Sequence, residues 1–154
     1  MNISHYFDTS SLLKLYNKEN GSRETVAIAQ SQAILPLSFI GEMELRNSLR
    51  VLYGRKRIHA EELEQALLYI DEDIANGRLL RLRPDPLLIE NESFELSRCY
   101  SAENFCRTLD ILHVATAIVS KITTFVTCDK RQAQLAEQTG LQVNYIDLSK
   151  TFKN

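Results

Sequence analysis

The chain reads as an α/β domain with a mainly parallel sheet covered by helices on both faces. Short β-prone runs alternate with helical apolar spacing along the whole chain, the pattern of strands joined by helical crossovers. At 154 residues, 44% apolar and 25% charged, it has the size and composition of one ordinary soluble domain able to bury a core. No internal repeat, low-complexity tract or Pro/Gly-rich linker divides it, so a single domain over residues 1–154 is expected.

The elements follow in order. Ile3 to Phe7 is β-prone and ends at Asp8. SSLLKLYNKEN has helical apolar spacing at Leu12, Leu13 and Tyr16 and is broken by Gly21; a second helix runs from about Ser22 to Gln30. Ala33 to Leu37 reads as a strand that Pro36 weakens or moves to an edge. A helix from about Ser38 to Tyr53 is followed by a Gly54–Arg57 turn. Another helix, opened by two glutamates, spans about Ala60 to Ala75 and stops near Asn76-Gly77. Leu79 to Leu82 alternates with arginines like a strand, Pro84 and Pro86 punctuate a turn, and a helix runs from about Leu87 to Tyr100. Leu109 to Val119 is a helix rich in small and branched residues; Thr124 to Cys128 is a strand. Lys130 to Thr139 is a helix with Gly140 at C′, and Val143 to Ile146 is the final strand.

Charge and cysteine usage narrow the function. Eighteen basic against twenty acidic residues give a net charge of -2, so any polyanion site must be built from a few arginines or a metal. Cys99, Cys106 and Cys128 have no CxxC spacing, which fits reduced thiols in a cytoplasmic chain. His5, His59 and His113 form no HxxxH pair, which disfavours zinc. No apolar run approaches membrane-spanning length, and MNISHYFD lacks the basic start of a signal peptide.

Four acids stand out. Asp8 and Asp129 each follow a strand and precede a helix, where open α/β sheets bind ligands, though each also suits an N-cap; Gln132 would complete a capping box with Asp129. Asp110 lies among Leu109, Ile111, Leu112, Val114 and Ala115; there a carboxylate needs a partner, a metal or a place in the first helical turn. In SFIGEMELRNSL, Glu42 and Glu44 both lie in the first half of the helix, and helical-wheel angles do not choose between them; surface exposure would explain either. Carboxylates without a His/Cys cluster describe a hard-cation site suited to Mg²⁺ or Mn²⁺, and metal-assisted phosphodiester hydrolysis is the chemistry such a site supports. No GxxxxGK[ST], GxSxG or GxGxxG motif offers a competing mechanism.

The strings YFDTSSLLKLY, LSFIGEMELRNSL, RTLDILHVATAI and FVTCDKRQAQLAEQTGL, from Phe7 to about Leu141, resemble in order the four motif regions of PIN-domain ribonucleases, and most closely the VapC toxins of bacterial toxin–antitoxin pairs. The resemblance implies a three-layer α/β/α sandwich with a parallel central sheet. It casts Asp8, Glu44, Asp110 and Asp129 as the catalytic acids that hold Mg²⁺ or Mn²⁺, with Glu42 the alternative to Glu44, and Ser10 and Thr127 as small polar residues beside the site. It further implies endonucleolytic cleavage of RNA leaving a 5′-phosphate, a homodimer, and inhibition by a VapB-like antitoxin. Lys130 and Arg131 stand where some members carry an extra acid or Asn. His113 faces the site or packs within its helix.

Candidate RNA contacts are Lys14, Arg46, Arg50 and Arg107, with the GRKR turn at 54–57 as the densest basic run; solvated charges or internal partners of the acids are the plain alternative. A phosphoacceptor receiver domain needs an acidic pair after its first strand, and a haloacid-dehalogenase-type phosphatase needs DxD where this chain has DTS. A PIN-like scaffold without activity is the remaining rival. Against it stands the repulsion of four unpaired acids in one cleft without metal.

Overall fold

The computed structural model describes residues 2–150, so Met1 and residues 151–154 of the expected domain lie outside the described residues. The elements are β1 (His5–Phe7), α1 (Thr9–Tyr16), α2 (Ser22–Gln30), β2 (Leu35–Leu37), α3 (Phe39–Gly54) and α4 (Ala60–Ala75), then β3 (Leu79–Arg81), α5 (Pro86–Asn104), α6 (Thr108–Val119), β4 (Thr124–Thr127), α7 (Lys130–Gln138) and β5 (Gln142–Tyr145). Every strand pairing is parallel: β1 with β4, β4 with β5, and β2 with β3.

Neighbouring strand residues send their side chains to opposite faces, which divides the core in two. Phe7, Leu35, Leu37, Leu79 and Val126 pack against Leu12, Ala29, Leu45, Leu49, Ala66 and Ile70, so α1 to α4 cover one face. Tyr6 and Phe125 stack on the other face, among Leu96, Ile111, Val114, Leu135 and Ala136 of α5, α6 and α7. The result is the three-layer α/β/α arrangement.

Pro36 explains why the sheet falls into a three-stranded and a two-stranded part. Leu35 donates to Arg78 and Leu37 accepts from Leu82, so both point their backbone groups at β3. The residue between them faces the other way, towards β1, and proline has no N–H to give. β2 therefore ladders only with β3 and meets β1 without a hydrogen-bonded ladder.

Some boundaries differ from expectation. α1 stops at Tyr16 instead of continuing towards Gly21, because Asn17 leaves the helix in extended backbone and Ser22 Oγ accepts from the Glu19 N–H. α5 runs on to Asn104 and ends on Phe105 in the left-handed region (φ 52°). Gly54 closes α3, and the exposed turn begins at Arg55. Gly140 takes the C′ position with φ 88°, a conformation glycine adopts without a Cβ penalty.

Leu45 of α3 is wholly buried at the sheet, whereas Met43 on the same helix is 57% exposed. Leu45→Ala should lower unfolding free energy by about 2–5 kcal/mol in urea titrations. Met43→Ala should change it by no more than about 0.5 kcal/mol.

Candidate functional site

The carboxyl ends of β1 and β4, the start of α6 and the second turn of α3 meet at one cleft. Its volume is about 290 Å³, and Asp8, Thr9, Ser10, Glu44, Arg107, Asp110, His113, Asp129 and Gln132 are among its lining residues. All four predicted acids lie there.

Asp8 follows β1 directly and is 2% exposed. Its backbone N–H donates to Val126, which extends the β1–β4 ladder to the site. Its carboxylate caps α1 by accepting from the Ser11 N–H at 2.9 Å, and also accepts from Ser11 Oγ (3.0 Å), Ser10 Oγ (2.8 Å) and Thr127 Oγ1 (2.6 Å). Burial pushes this carboxyl above the ordinary aspartate range, although those bonds and the nearby His113 pull the other way. Thr127 also accepts from the Asp129 N–H at 2.9 Å, and Ser10 from the Cys128 N–H at 3.0 Å, so these hydroxyls tie the ends of β1 and β4 together.

Asp129 caps α7, accepting from the Arg131 and Gln132 N–H groups. The expected capping box is only half formed: Thr127, rather than the Gln132 side chain, accepts from the Asp129 N–H. Asp110 is the third residue of α6 and reaches back to the Arg107 N–H, which places its 6% exposed carboxylate at a helix N-terminus where the macrodipole favours it.

Arg107 links the two acids. Its guanidinium donates to both Asp110 oxygens (2.9 and 3.1 Å) and to Asp129 Oδ2 (2.8 Å). The side chain is 61% exposed, so this cation lies over the acids rather than beneath them.

Glu44, not Glu42, faces the cleft. Its Oε1 accepts from Thr9 Oγ1 at 2.8 Å and meets His113 Nε2. The His113 hydrogen bond holds the carboxyl below the ordinary glutamate range; burial opposes it and Thr9 assists. Glu42 turns to the side of α3, where Arg81 and Arg46 hold it.

The predicted basic residues divide. Arg107 lines the cleft; Lys14, Arg46 and Arg50 do not. Lys14 is buried and paired with Glu19. Arg46 bridges Glu42 and Asp71, and Arg50 is exposed along α3. Thr9, Ser11, Ser38 and Tyr6 also serve the site through hydroxyls, a role their sequence positions do not announce. Only the density of hydroxyl residues after Asp8 hints at it.

Among the described residues, no three His, Cys, Asp or Glu side chains are gathered closely enough to hold a metal ion as they stand. The donor set still has the right chemistry: four carboxylates on one cleft are hard oxygen ligands suited to Mg²⁺ or Mn²⁺. Each is drawn to a partner within the chain, and Arg107 takes a cation's place between Asp110 and Asp129.

The family model for the PIN domain matches residues 5–138. Among solved structures, FitAcB from Neisseria gonorrhoeae superposes with a TM-score of 0.64 at 19% identity, over 90% of this chain and 95% of that one. VapBC-1 from nontypeable Haemophilus influenzae gives 0.61 at 19%, over 96% and 100%. VapBC2 from Rickettsia felis, bound to a DNA fragment from their promoter, gives 0.63 at 15%, over 94% and 100%. At such identities the likeness establishes the fold. Among curated proteins none matches the chain significantly.

The Asp8 shift has a pH signature. Its folded-state pKa lies above the unfolded value, so the folded chain holds the extra proton between the two. That stability is fully present below the ordinary aspartate pKa and is lost as pH rises through the folded value. In urea unfolding with chelator from about pH 4 to about pH 7, wild-type stability should fall relative to Asp8→Asn as pH rises. A wild-type minus variant difference that does not change with pH would mean that Asp8 titrates as an ordinary aspartate.

Proposed function

The chain belongs to the PIN-domain family, and on that premise we propose that it is, as a single domain over residues 1–154, a metal-dependent endoribonuclease and the toxin of a toxin–antitoxin pair. The observation that carries this reading is the placing of Asp8, Glu44, Asp110 and Asp129 on one cleft at the carboxyl ends of the strands. These acids would hold Mg²⁺ or Mn²⁺, which supplies a water of lowered pKa and neutralises charge on the scissile phosphate.

The chain's own residues do the rest. Thr127 and Ser10 keep the buried Asp8 carboxylate oriented. His113 and Thr9 hold Glu44. Arg107 balances Asp110 and Asp129, and on exchange with a divalent cation its exposed guanidinium is free for an RNA phosphate. Cleavage would leave a 5′-phosphate.

A VapB-like antitoxin, a homodimer and a cytoplasmic location belong to the same reading. The structural likeness to VapBC and FitAcB structures supports the first. No helix of the described residues is long and apolar enough to cross a membrane.

One observation favours a silent scaffold instead. The acids are not the four unpaired charges that sequence reasoning would set against it, because Arg107 and His113 pair three of them and hydroxyls satisfy the fourth. Two measurements separate the readings. Purified protein with Mn²⁺ or Mg²⁺ should cleave total RNA, and EDTA should stop it. Asp8→Asn should lower the rate by more than about 100-fold. Intact RNA with both metals, from folded protein free of inhibitor, would favour the scaffold.

Thermal unfolding gives the second. A bound cation should raise Tm by linkage. Arg107→Gln should lower Tm in EDTA and enlarge the rise on adding Mn²⁺, since it removes the competing cation. A Tm that ignores Mn²⁺ in both proteins would count against metal binding.

A further inference from the structure

Behind Glu44 lies a buried file of polar side chains from three elements. Tyr6 of β1 is 1% exposed, His113 of α6 is 2% exposed, and Ser38, the N-cap of α3, is 6% exposed. Tyr6 Oη lies 2.8 Å from Ser38 Oγ and 2.8 Å from His113 Nδ1. The other ring nitrogen, Nε2, meets Glu44 Oε1.

The file is held at both ends. Ser38 Oγ accepts from the Gly41 N–H at 3.0 Å and also bonds the Tyr6 hydroxyl. Burial pushes the Tyr6 phenol up, so it stays a donor. Its hydroxyl joins Ser38 Oγ to His113 Nδ1, and Nε2–H points at Glu44, whose ionised carboxylate can only accept. Packing preserves the space: a Cβ at Gly41 would stand 3.0 Å from Ser38 Oγ and 3.9 Å from His113 Cε1. Both donors to Glu44, His113 and Thr9, fall on Oε1, and among the described residues Oε2 accepts no hydrogen bond.

We propose that His113 is a positioning residue, held by Tyr6 and Ser38, which grips Glu44 Oε1 so that Oε2 is the oxygen offered to a cation in the cleft. The proposal rests on the reading of Glu44 as a metal-holding acid. It accounts for a histidine buried among Ile111, Val114 and Ala115 with both ring nitrogens engaged, a cost that simple packing does not require. Outer-shell partners of this kind orient a metal's ligands.

The test is Mn²⁺ titration by calorimetry, alongside RNA cleavage kinetics, for His113→Ala, His113→Gln, Tyr6→Phe and Glu44→Gln. His113→Ala should weaken Mn²⁺ binding by about 10–100-fold while KM for RNA holds steady at saturating metal. His113→Gln, whose amide N–H can still reach Glu44, should recover part of the loss. Tyr6→Phe should weaken binding less, in the same direction. Where His113→Ala does not fold, the Gln and Phe variants carry the test against cooperative unfolding as the check on integrity. Wild-type Mn²⁺ affinity in every folded His113 and Tyr6 variant, with affinity lost in Glu44→Gln, would overturn the role of His113 alone. Wild-type affinity in Glu44→Gln would instead remove the reading of Glu44, and the proposal with it.

Discussion

The site depends on keeping a carboxylate buried at the end of a central strand. Asp8 is almost inaccessible, and an ionised carboxyl in that position would be costly without donors. The chain supplies them from nearby: Ser10 and Ser11 on the first turn of α1 and Thr127 at the end of β4. The same hydroxyls accept from, or lie against, the strand-end backbone, so satisfying Asp8 also secures the junction of β1 with β4. Asp129 then stands two residues beyond Thr127, aimed by the same strand.

Electrostatic balance extends this pattern to the other acids. Asp110 and Asp129 share one guanidinium, and Glu44 takes an imidazole. Asp8, Asp110 and Asp129 also sit in the first turns or caps of α1, α6 and α7, where the positive ends of the helices favour negative charge. A cleft rich in acids is thereby made compatible with a chain of nearly neutral overall charge.

Much of this is legible in the sequence, for definite reasons. The parallel three-layer fold shows in the alternation of strand and helix periods, and Asp8 and Asp129 show at strand ends. Asp110 shows because a carboxylate among branched residues calls for a partner. Glu44 could not be chosen over Glu42 by helical periodicity, since both lie in the same stretch of α3. The choice depends on where α6 and β3 pack: His113 comes from one side and Arg81 from the other. Arg107 reads as a surface charge or an RNA contact, but its spacing of three from Asp110 is also the reach from N-cap to third helical residue, and that contact wins in the folded chain. Tyr6 reads as an ordinary core residue of a strand; its hydroxyl acquires a role only once α3 and α6 arrive beside it. Lys14 and Arg46 have partners, Glu19 and Asp71, that only the tertiary fold or a local loop supplies.

The missing N–H of Pro36 means that the two sides of the cleft are joined by different kinds of bond. Asp8 and Asp129 follow strands joined by backbone hydrogen bonds, so their separation is set by the register of the sheet. Glu44 follows β2, across the seam where no ladder forms, and is joined to the rest by side chains: the packing of Leu45 and Leu49 with Phe7 and Leu12, and the Tyr6–Ser38, Thr9–Glu44 and His113–Glu44 contacts. Its distance from Asp8 is therefore set by side-chain packing and side-chain hydrogen bonds rather than by a backbone ladder. The gap between these two acids is thus a dimension of the cleft that side-chain identity, rather than strand register, determines.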